Sequence, residues 1–165
     1  MPLSDDQYRA IGRITVLSAQ LEYVANLLAW MLIYPQSGQS YIISQGEAQQ
    51  IGRRAFAGDS FASIIVKIQR LSEYVLRRSP QTLAEVQAWI AKARDLQERR
   101  NDIIHASWTD IPTGETAPYR LLGRGEPRAA RTPADQLDQF ADEIDAVVKE
   151  IAPTLRAISF PNYPP

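Results

Sequence analysis

Apolar residues recur at helical spacing along most of the chain. The first run has six of them at alternating intervals of three and four residues: Ile14, Leu17, Leu21, Val24, Leu28 and Met31. This spacing places them on one side of a helix. Ser4 and Gln7 form a predicted capping box at its start. The Tyr34–Pro35 step ends it, because proline disfavours helical geometry in the residue before it.

The same spacing predicts three further long helices. The first covers about 59–78 and the last about 132–155. The helix between them begins at a second predicted capping box, formed by Thr82 and Glu85. A shorter helix is predicted over about 44–57. These elements predict an all-α, up-and-down bundle of four to five helices.

Helical spacing stops after Trp108. The segment of about 107–131 contains several prolines and glycines, which predicts a small β-hairpin or an irregular insertion after the third long helix. Pro112 and Pro118 favour an irregular or edge pair, because proline lacks the N–H that a strand ladder needs. We therefore expect a single helical domain over 1–165 that carries this insertion.

Two polar features interrupt the apolar pattern. On the first helix Ser18, Glu22, Ala25 and Ala29 form a stripe, whose small residues would let another helix approach closely and leave Glu22 partly buried. A buried carboxylate needs a partner. The last long helix carries five acidic residues in its first half, which we interpret as solvated surface: Asp135, Asp138, Asp142, Glu143 and Asp145.

Composition narrows the possible chemistry. The chain of 165 residues has a formal net charge of −1, so no global charge attracts it to nucleic acid or to an anionic membrane. It has no cysteine and one histidine, which excludes thiolate zinc sites, thiol nucleophiles and, within one subunit, paired-histidine sites. We expect no metal and no cofactor.

The N-terminal sequence and the apolar runs favour a cytoplasmic protein. The first ten residues, MPLSDDQYRA, are polar and acidic, unlike a signal peptide. The longest apolar run has about twelve residues, whereas a membrane-spanning helix needs about 20. We therefore expect no membrane partner.

The one histidine lies in the stretch ERRNDIIHASW, near the end of the third long helix. Continuing the apolar spacing by four residues from Leu96 leads to Arg100, so a charged side chain occupies a position that the periodicity reserves for the core. Asn101 and His105 are four residues apart and share a helix face. Arg100, Asn101 and His105 can therefore converge on a small anion. Alternatively, they are the structural end of a helix, where Arg and His complement the dipole.

The hexapeptide Arg100–His105 resembles the R-N-x-x-x-H signature of the HEPN superfamily. That family consists of small all-α bundles, many of which are metal-independent ribonucleases that act as toxins of toxin–antitoxin or phage-defence systems. The resemblance implies Arg100, Asn101 and His105 as catalytic residues, RNA as the substrate and, in a toxin, a possible antitoxin partner. It also implies a supporting role for an acidic residue of the N-terminal helix, for which Glu22 is the candidate.

The mechanism that follows assigns proton transfer to His105, stabilisation of the phosphorane charge to Arg100, and orientation of the histidine or the phosphate to Asn101. Glu22 would pair with Arg100 or set the histidine tautomer. One imidazole cannot readily serve as base and acid in one event. We therefore expect a homodimer that brings two copies of the motif together, as the resemblance also implies.

Four further residues are candidates for RNA binding. Arg99, Arg120 and Arg124 would contact phosphates, with surface solubility as the alternative. Trp108 would stack on a base, with a place in the core or at a dimer interface as the alternative.

Two other functions remain open at this point. The same motif could bind a nucleotide or RNA without cleaving it, or the bundle could serve only for dimerisation, and the net charge favours such a module over a nuclease of broad range. A purely structural bundle would instead tie Arg100 to Glu22 in a buried ion pair.

Overall fold

The periodic segments form helices in the computed structural model of the chain. The structure describes residues 3–33, 58–104, 107–110, 116–120, 128–129 and 133–159. Five helices lie within this part: α1 (Asp5–Ile33), α2 (Phe61–Val75), α3 (Pro80–Ile104), α4 (Ala134–Glu150) and α5 (Ala152–Ser159). The fold is an all-α helical bundle, as predicted. The short helix predicted over 44–57 falls outside the described residues.

Helix α1 begins as its sequence predicts. The backbone N–H of Gln7 donates to Ser4 Oγ at 3.2 Å, and the backbone N–H of Ser4 donates to Gln7 Oε1 at 3.0 Å. These reciprocal bonds satisfy backbone donors that the first helical turn leaves free. The capping box is confirmed.

The buried face of α1 differs in part from the predicted apolar seam. Ile14, Leu21 and Leu28 are buried as expected, whereas the alternate predicted positions, 17, 24 and 31, are only half-buried. Between Ile14, Leu21 and Leu28, the buried residues are instead Ser18 and Ala25. Ser18 and Ala25 are as deeply buried as Ile14, Leu21 and Leu28, so the buried face of α1 combines small and large side chains. The small-residue stripe is thus confirmed, and the seam is shifted towards it.

Helix α3 starts earlier than predicted. Its first residue is Pro80, which suits the first helical position because proline lacks an N–H that would be unpaired there. Thr82 and Glu85 therefore lie inside the helix, and the predicted second capping box is wrong. Glu85 Oε2 instead accepts a hydrogen bond from Thr154 Oγ1 at 3.0 Å.

The last predicted helix is two helices. Helix α4 ends at Glu150, and α5 starts at Ala152 after a turn at Ile151. Pro153 explains the break, because it cannot donate the backbone hydrogen bond that a continuous helix requires. Ile151 remains buried at the turn, so the apolar spacing continues across the break.

The predicted hairpin is present. Strands β1 (Ser107–Asp110) and β2 (Thr116–Arg120) pair antiparallel, and a third strand, β3 (Arg128–Ala129), pairs with the far end of β2. Pro118 lies opposite Trp108, and among the described residues β3 pairs with Tyr119 and Arg120. Strand β2 is thus the middle strand of the sheet, so Pro118 does not lie on an edge strand, as its sequence favoured.

The contacts divide the chain into two compact units. The first comprises Met1–Gln20 and Asp95–Ala146, and the second comprises Leu21–Arg94 and Val147–Pro165. The core of the second unit contains Trp89, which is 1% exposed and donates its indole N–H to the carbonyl oxygen of Val147 at 2.9 Å. That hydrogen bond satisfies the one polar atom of a large buried side chain.

Helix α1 is long and apolar enough, by length and composition, to cross a membrane, with a mean hydropathy of 1.4 over its most apolar window. Among the described residues no other helix meets this criterion. Core helices of soluble proteins and signal sequences meet the same criterion, so one such helix is weak evidence for a membrane span.

Candidate functional site

The end of α3 places Arg100 on the buried side of the helix. Earlier positions of the same apolar series are buried, including Ala93 and Leu96. Arg100 continues the series and is half-buried. The sequence prediction that a charged side chain occupies a core-facing position is therefore confirmed.

Arg100 and Asn101 are in direct contact within a small polar cluster. Arg100 Nη1 donates to Asn101 Oδ1 at 3.2 Å, and Gln97 Nε2 donates to the same oxygen at 3.4 Å. We name Gln97, Arg100 and Asn101 the α3 polar cluster. A guanidinium can only donate hydrogen bonds, so the atom of Asn101 that faces Arg100 must be the oxygen. The amide nitrogen of Asn101 is consequently directed away from Arg100 and available to donate elsewhere.

The α3 polar cluster contains buried polar atoms without hydrogen-bond partners. Within the described residues these atoms are Arg100 Nε and Gln97 Oε1, together with Ser18 Oγ on α1. All three belong to the first unit. A buried unpaired donor or acceptor costs about 1–3 kcal/mol, so the unpaired atoms of the cluster are costly in this arrangement. The cluster has hydrogen-bonding capacity beyond what these residues use.

The neighbouring Arg99 is paired with two carboxylates. Its Nη1 donates to Glu143 Oε2 at 2.7 Å and to Asp95 Oδ2 at 3.4 Å, and its guanidinium lies 4.4 Å from the centroid of the Phe140 ring. The hydrogen bond with Glu143 raises the pKa of Arg99 above its ordinary value. Much of its positive charge is thus offset by carboxylates, which weakens its attraction for a phosphate.

Arg13 is engaged in the same manner. Its guanidinium binds Asp138 and donates to Asp142 Oδ1 at 2.7 Å. The hydrogen bond with Asp142 is the main cause of a raised pKa of Arg13. The acidic half of α4 was expected to be solvated surface, and Asp142 is exposed as expected. Asp138 and Glu143 are half-buried, and arginines of α1 and α3 pair with these carboxylates at the surface.

Arg100 differs from both of these arginines. In the part of the chain that the structure describes, it forms no ion pair with a carboxylate, and its recorded hydrogen bond is to the neutral amide of Asn101. Its positive charge is therefore not neutralised by a direct partner there. A half-buried cation of this kind attracts an anion more strongly than an exposed cation does.

The other predicted site residues are placed as follows. Glu22 is half-buried, as expected, and belongs to the second unit, whereas the α3 polar cluster belongs to the first. Trp108 lies in β1, and Arg120 is the last residue of β2. His105 and Arg124 lie outside the described residues.

Sequence reasoning missed Gln97. It precedes Asn101 by four residues and Arg100 by three, so all three side chains meet on neighbouring rows of one helix. That spacing was visible in the sequence, but glutamine is common on helix surfaces and its spacing alone did not single it out.

A surface pocket also escaped sequence reasoning. It has a volume of about 340 Å³ and is formed between the last turns of α3 and the first half of α4. Its lining residues are Arg99, Ile103, Gln136, Gln139, Phe140 and Glu143. These residues come from two segments far apart in the chain, so only their packing in the first unit creates the pocket.

Among the described residues, no group of three or more histidine, aspartate or glutamate side chains is placed to hold a metal ion. In comparisons with known proteins, no family model matches the chain, and neither a curated protein nor a solved structure matches it significantly.

Proposed function

We propose that this chain is a metal-independent endoribonuclease of the HEPN type, which cleaves RNA at a dimeric site built from Arg100, Asn101 and His105. The observation that supports this most directly is the state of Arg100. Its guanidinium is half-buried, oriented by Asn101 and not neutralised by a carboxylate in the described part of the chain. A cation held in this way suits the stabilisation of charge that develops during a reaction.

The proposed reaction needs two proton transfers. A base removes the proton of a ribose 2′-OH, and the 2′-oxygen attacks the adjacent phosphorus. The bond from phosphorus to the 5′-oxygen breaks, and an acid protonates that oxygen. The products are a 2′,3′-cyclic phosphate and a 5′-hydroxyl. Arg100 stabilises the dianionic phosphorane, and His105 transfers the protons.

A second copy of the chain would complete this site. One imidazole per chain has to act as base or as acid at any one moment, so two copies of the motif are needed for both roles. The unpaired Nε of Arg100 and the free amide nitrogen of Asn101 provide donors for a phosphate once the site is assembled. The protein would act in the cytoplasm, as a toxin or phage-defence effector with a possible antitoxin partner.

The second candidate is a HEPN-like module that binds RNA or a nucleotide without cleavage. The engagement of Arg13 and Arg99 by carboxylates favours it, because these arginines contribute little free positive charge for a long RNA. The formal net charge of −1 agrees with this.

One experiment separates the two candidates. RNA is incubated in excess EDTA with the wild type or with His105→Ala, and binding of the same RNA is measured in parallel. We expect the wild type to cleave and the variant to lose roughly 10²- to 10⁴-fold in rate while it remains folded. Binding without cleavage by the wild type supports the non-catalytic module. Equal cleavage by both proteins refutes the assignment of His105.

A further inference from the structure

The pocket between α3 and α4 has a composition that distinguishes it from a phosphate site. Arg99, the cation among its described lining residues, is bound to Glu143 Oε2. Glu143 itself lines the pocket and brings a negative charge to it. A phosphate would meet this carboxylate and a cation that is already paired, so the pocket disfavours the RNA backbone.

A planar stacking surface is available in the same pocket. The guanidinium carbon of Arg99 lies over the Phe140 ring, at 4.4 Å from the ring centroid, and the Arg99 side chain remains 43% exposed. Its ion pair with Glu143 holds the guanidinium in place. RNA-binding proteins stack unpaired bases on guanidinium planes of this kind.

Further hydrogen-bonding groups line the same pocket. In the described part of the chain, Glu143 Oε1 has no hydrogen-bond partner, and the side-chain amides of Gln136 and Gln139 make no hydrogen bond. The carboxylate oxygen can only accept, whereas each amide can donate and accept. Together they match the edge of a base that carries an amino group beside a ring nitrogen or a carbonyl.

The geometry points to a binding subsite for one unpaired nucleobase with an exocyclic amino group, stacked on Arg99 and hydrogen-bonded to Glu143, Gln136 and Gln139. As a substrate subsite it rests on the proposed ribonuclease function and would select which nucleotide of the RNA is held at this end of α3. Arg99 would then contact a base, whereas the sequence alone had suggested a phosphate. Base recognition by the pocket does not itself require cleavage.

Cytidine and uridine are the matched probes, because they are uncharged and of similar size. Cytidine presents an amino group that can donate to Glu143, whereas uridine presents a carbonyl oxygen there, which a carboxylate repels. We expect ligand-observed NMR titrations of the full chain to show tighter binding of cytidine than of uridine. Equal binding, or no binding of either nucleoside, overturns the inference.

Two variants test the pocket residues. The double variant Gln136→Ala, Gln139→Ala should weaken cytidine binding by about tenfold, on the basis of roughly fivefold or less for each lost hydrogen bond. The matched control is Gln20→Ala, Gln87→Ala, which removes one exposed glutamine of α1 and one of α3, neither of which lines the pocket, and should leave binding unchanged. Equal losses in both double variants would contradict the assignment.

Glu143→Gln gives the sharper test. The glutamine oxygen must face Arg99, because the guanidinium only donates, so the amide nitrogen replaces Oε1. An acceptor thereby becomes a donor, and the preference should change from cytidine to uridine. An unchanged preference overturns the inference.

RNA cleavage in EDTA is measured separately, so that the two proposals can fail independently. Cleavage with no cytidine preference rejects the subsite alone, and cytidine preference with no cleavage rejects the nuclease alone.

Discussion

Substitution of Arg100 by methionine separates a catalytic role from a structural one. Methionine keeps an unbranched apolar stem of similar reach, so the packing that the arginine stem provides is largely retained. The substitution removes the guanidinium and its hydrogen bond to Asn101. It also removes the buried Nε that has no partner in the described structure.

The expected change in stability follows from these two effects. Loss of the hydrogen bond to Asn101 costs about 1 kcal/mol, and removal of a buried unpaired N–H returns about 1–3 kcal/mol. The contributions oppose each other, so we expect the free energy of unfolding to stay the same or to rise by up to about 2 kcal/mol. Cleavage of RNA should fall by roughly 10²- to 10³-fold, as when one transition-state donor is removed.

Urea denaturation followed by tryptophan fluorescence measures the stability, since Trp89 is buried and should report unfolding. Cleavage of a labelled RNA in EDTA measures the activity. The control is Arg13→Ala, which breaks ion pairs to Asp138 and Asp142 and should lower the unfolding midpoint while cleavage is unchanged. If Arg100→Met loses about 3 kcal/mol or more, and its activity follows the folded fraction, Arg100 is a structural cation and the proposed role is refuted.

Two further predictions concern single contacts. Gln97→Leu removes one of the two hydrogen bonds that hold the Asn101 amide. We therefore expect kcat for RNA cleavage to fall by up to about tenfold with little change in KM. An unaltered kcat would exclude a positioning role for Gln97. The Lys67 ammonium lowers the pKa of Asp59 through a hydrogen bond, so Lys67→Ala should raise that pKa in an NMR titration. Because the folded pKa is below the ordinary value, the pair stabilises the protein above the usual aspartate range and loses this effect as pH falls through the lowered pKa. A midpoint for Asp59 that does not move in Lys67→Ala would show that the pair does not set it.

Local sequence determined the helical class and several of its boundaries. Ser4 and Gln7 form their capping box with atoms three residues apart, and such short-range bonds can be inferred from the chain alone. The position of Arg100 on the buried side of α3 likewise follows from spacing, because a helix carries side chains round its axis at a constant angle.

Tertiary packing decided the rest. Which face of α1 is most deeply buried was decided by packing: Ser18 and Ala25 are buried, whereas Leu17 and Val24 are only half-buried. The arginines that pair with the acidic half of α4 could not be inferred from the sequence, because they are distant along the chain. Arg13 lies 125 residues from Asp138, and Arg99 lies 44 residues from Glu143.

The candidate site shows the same division. The residues of the α3 polar cluster are within five positions of one another, so sequence placed Arg100 and Asn101 together, although it did not single out Gln97. The pocket is lined by residues of both α3 and α4, and no local pattern indicates which glutamines or which carboxylate will line it. Helical spacing determines what lies on one helix, whereas contacts between helices depend on side-chain shape and charge across the whole unit.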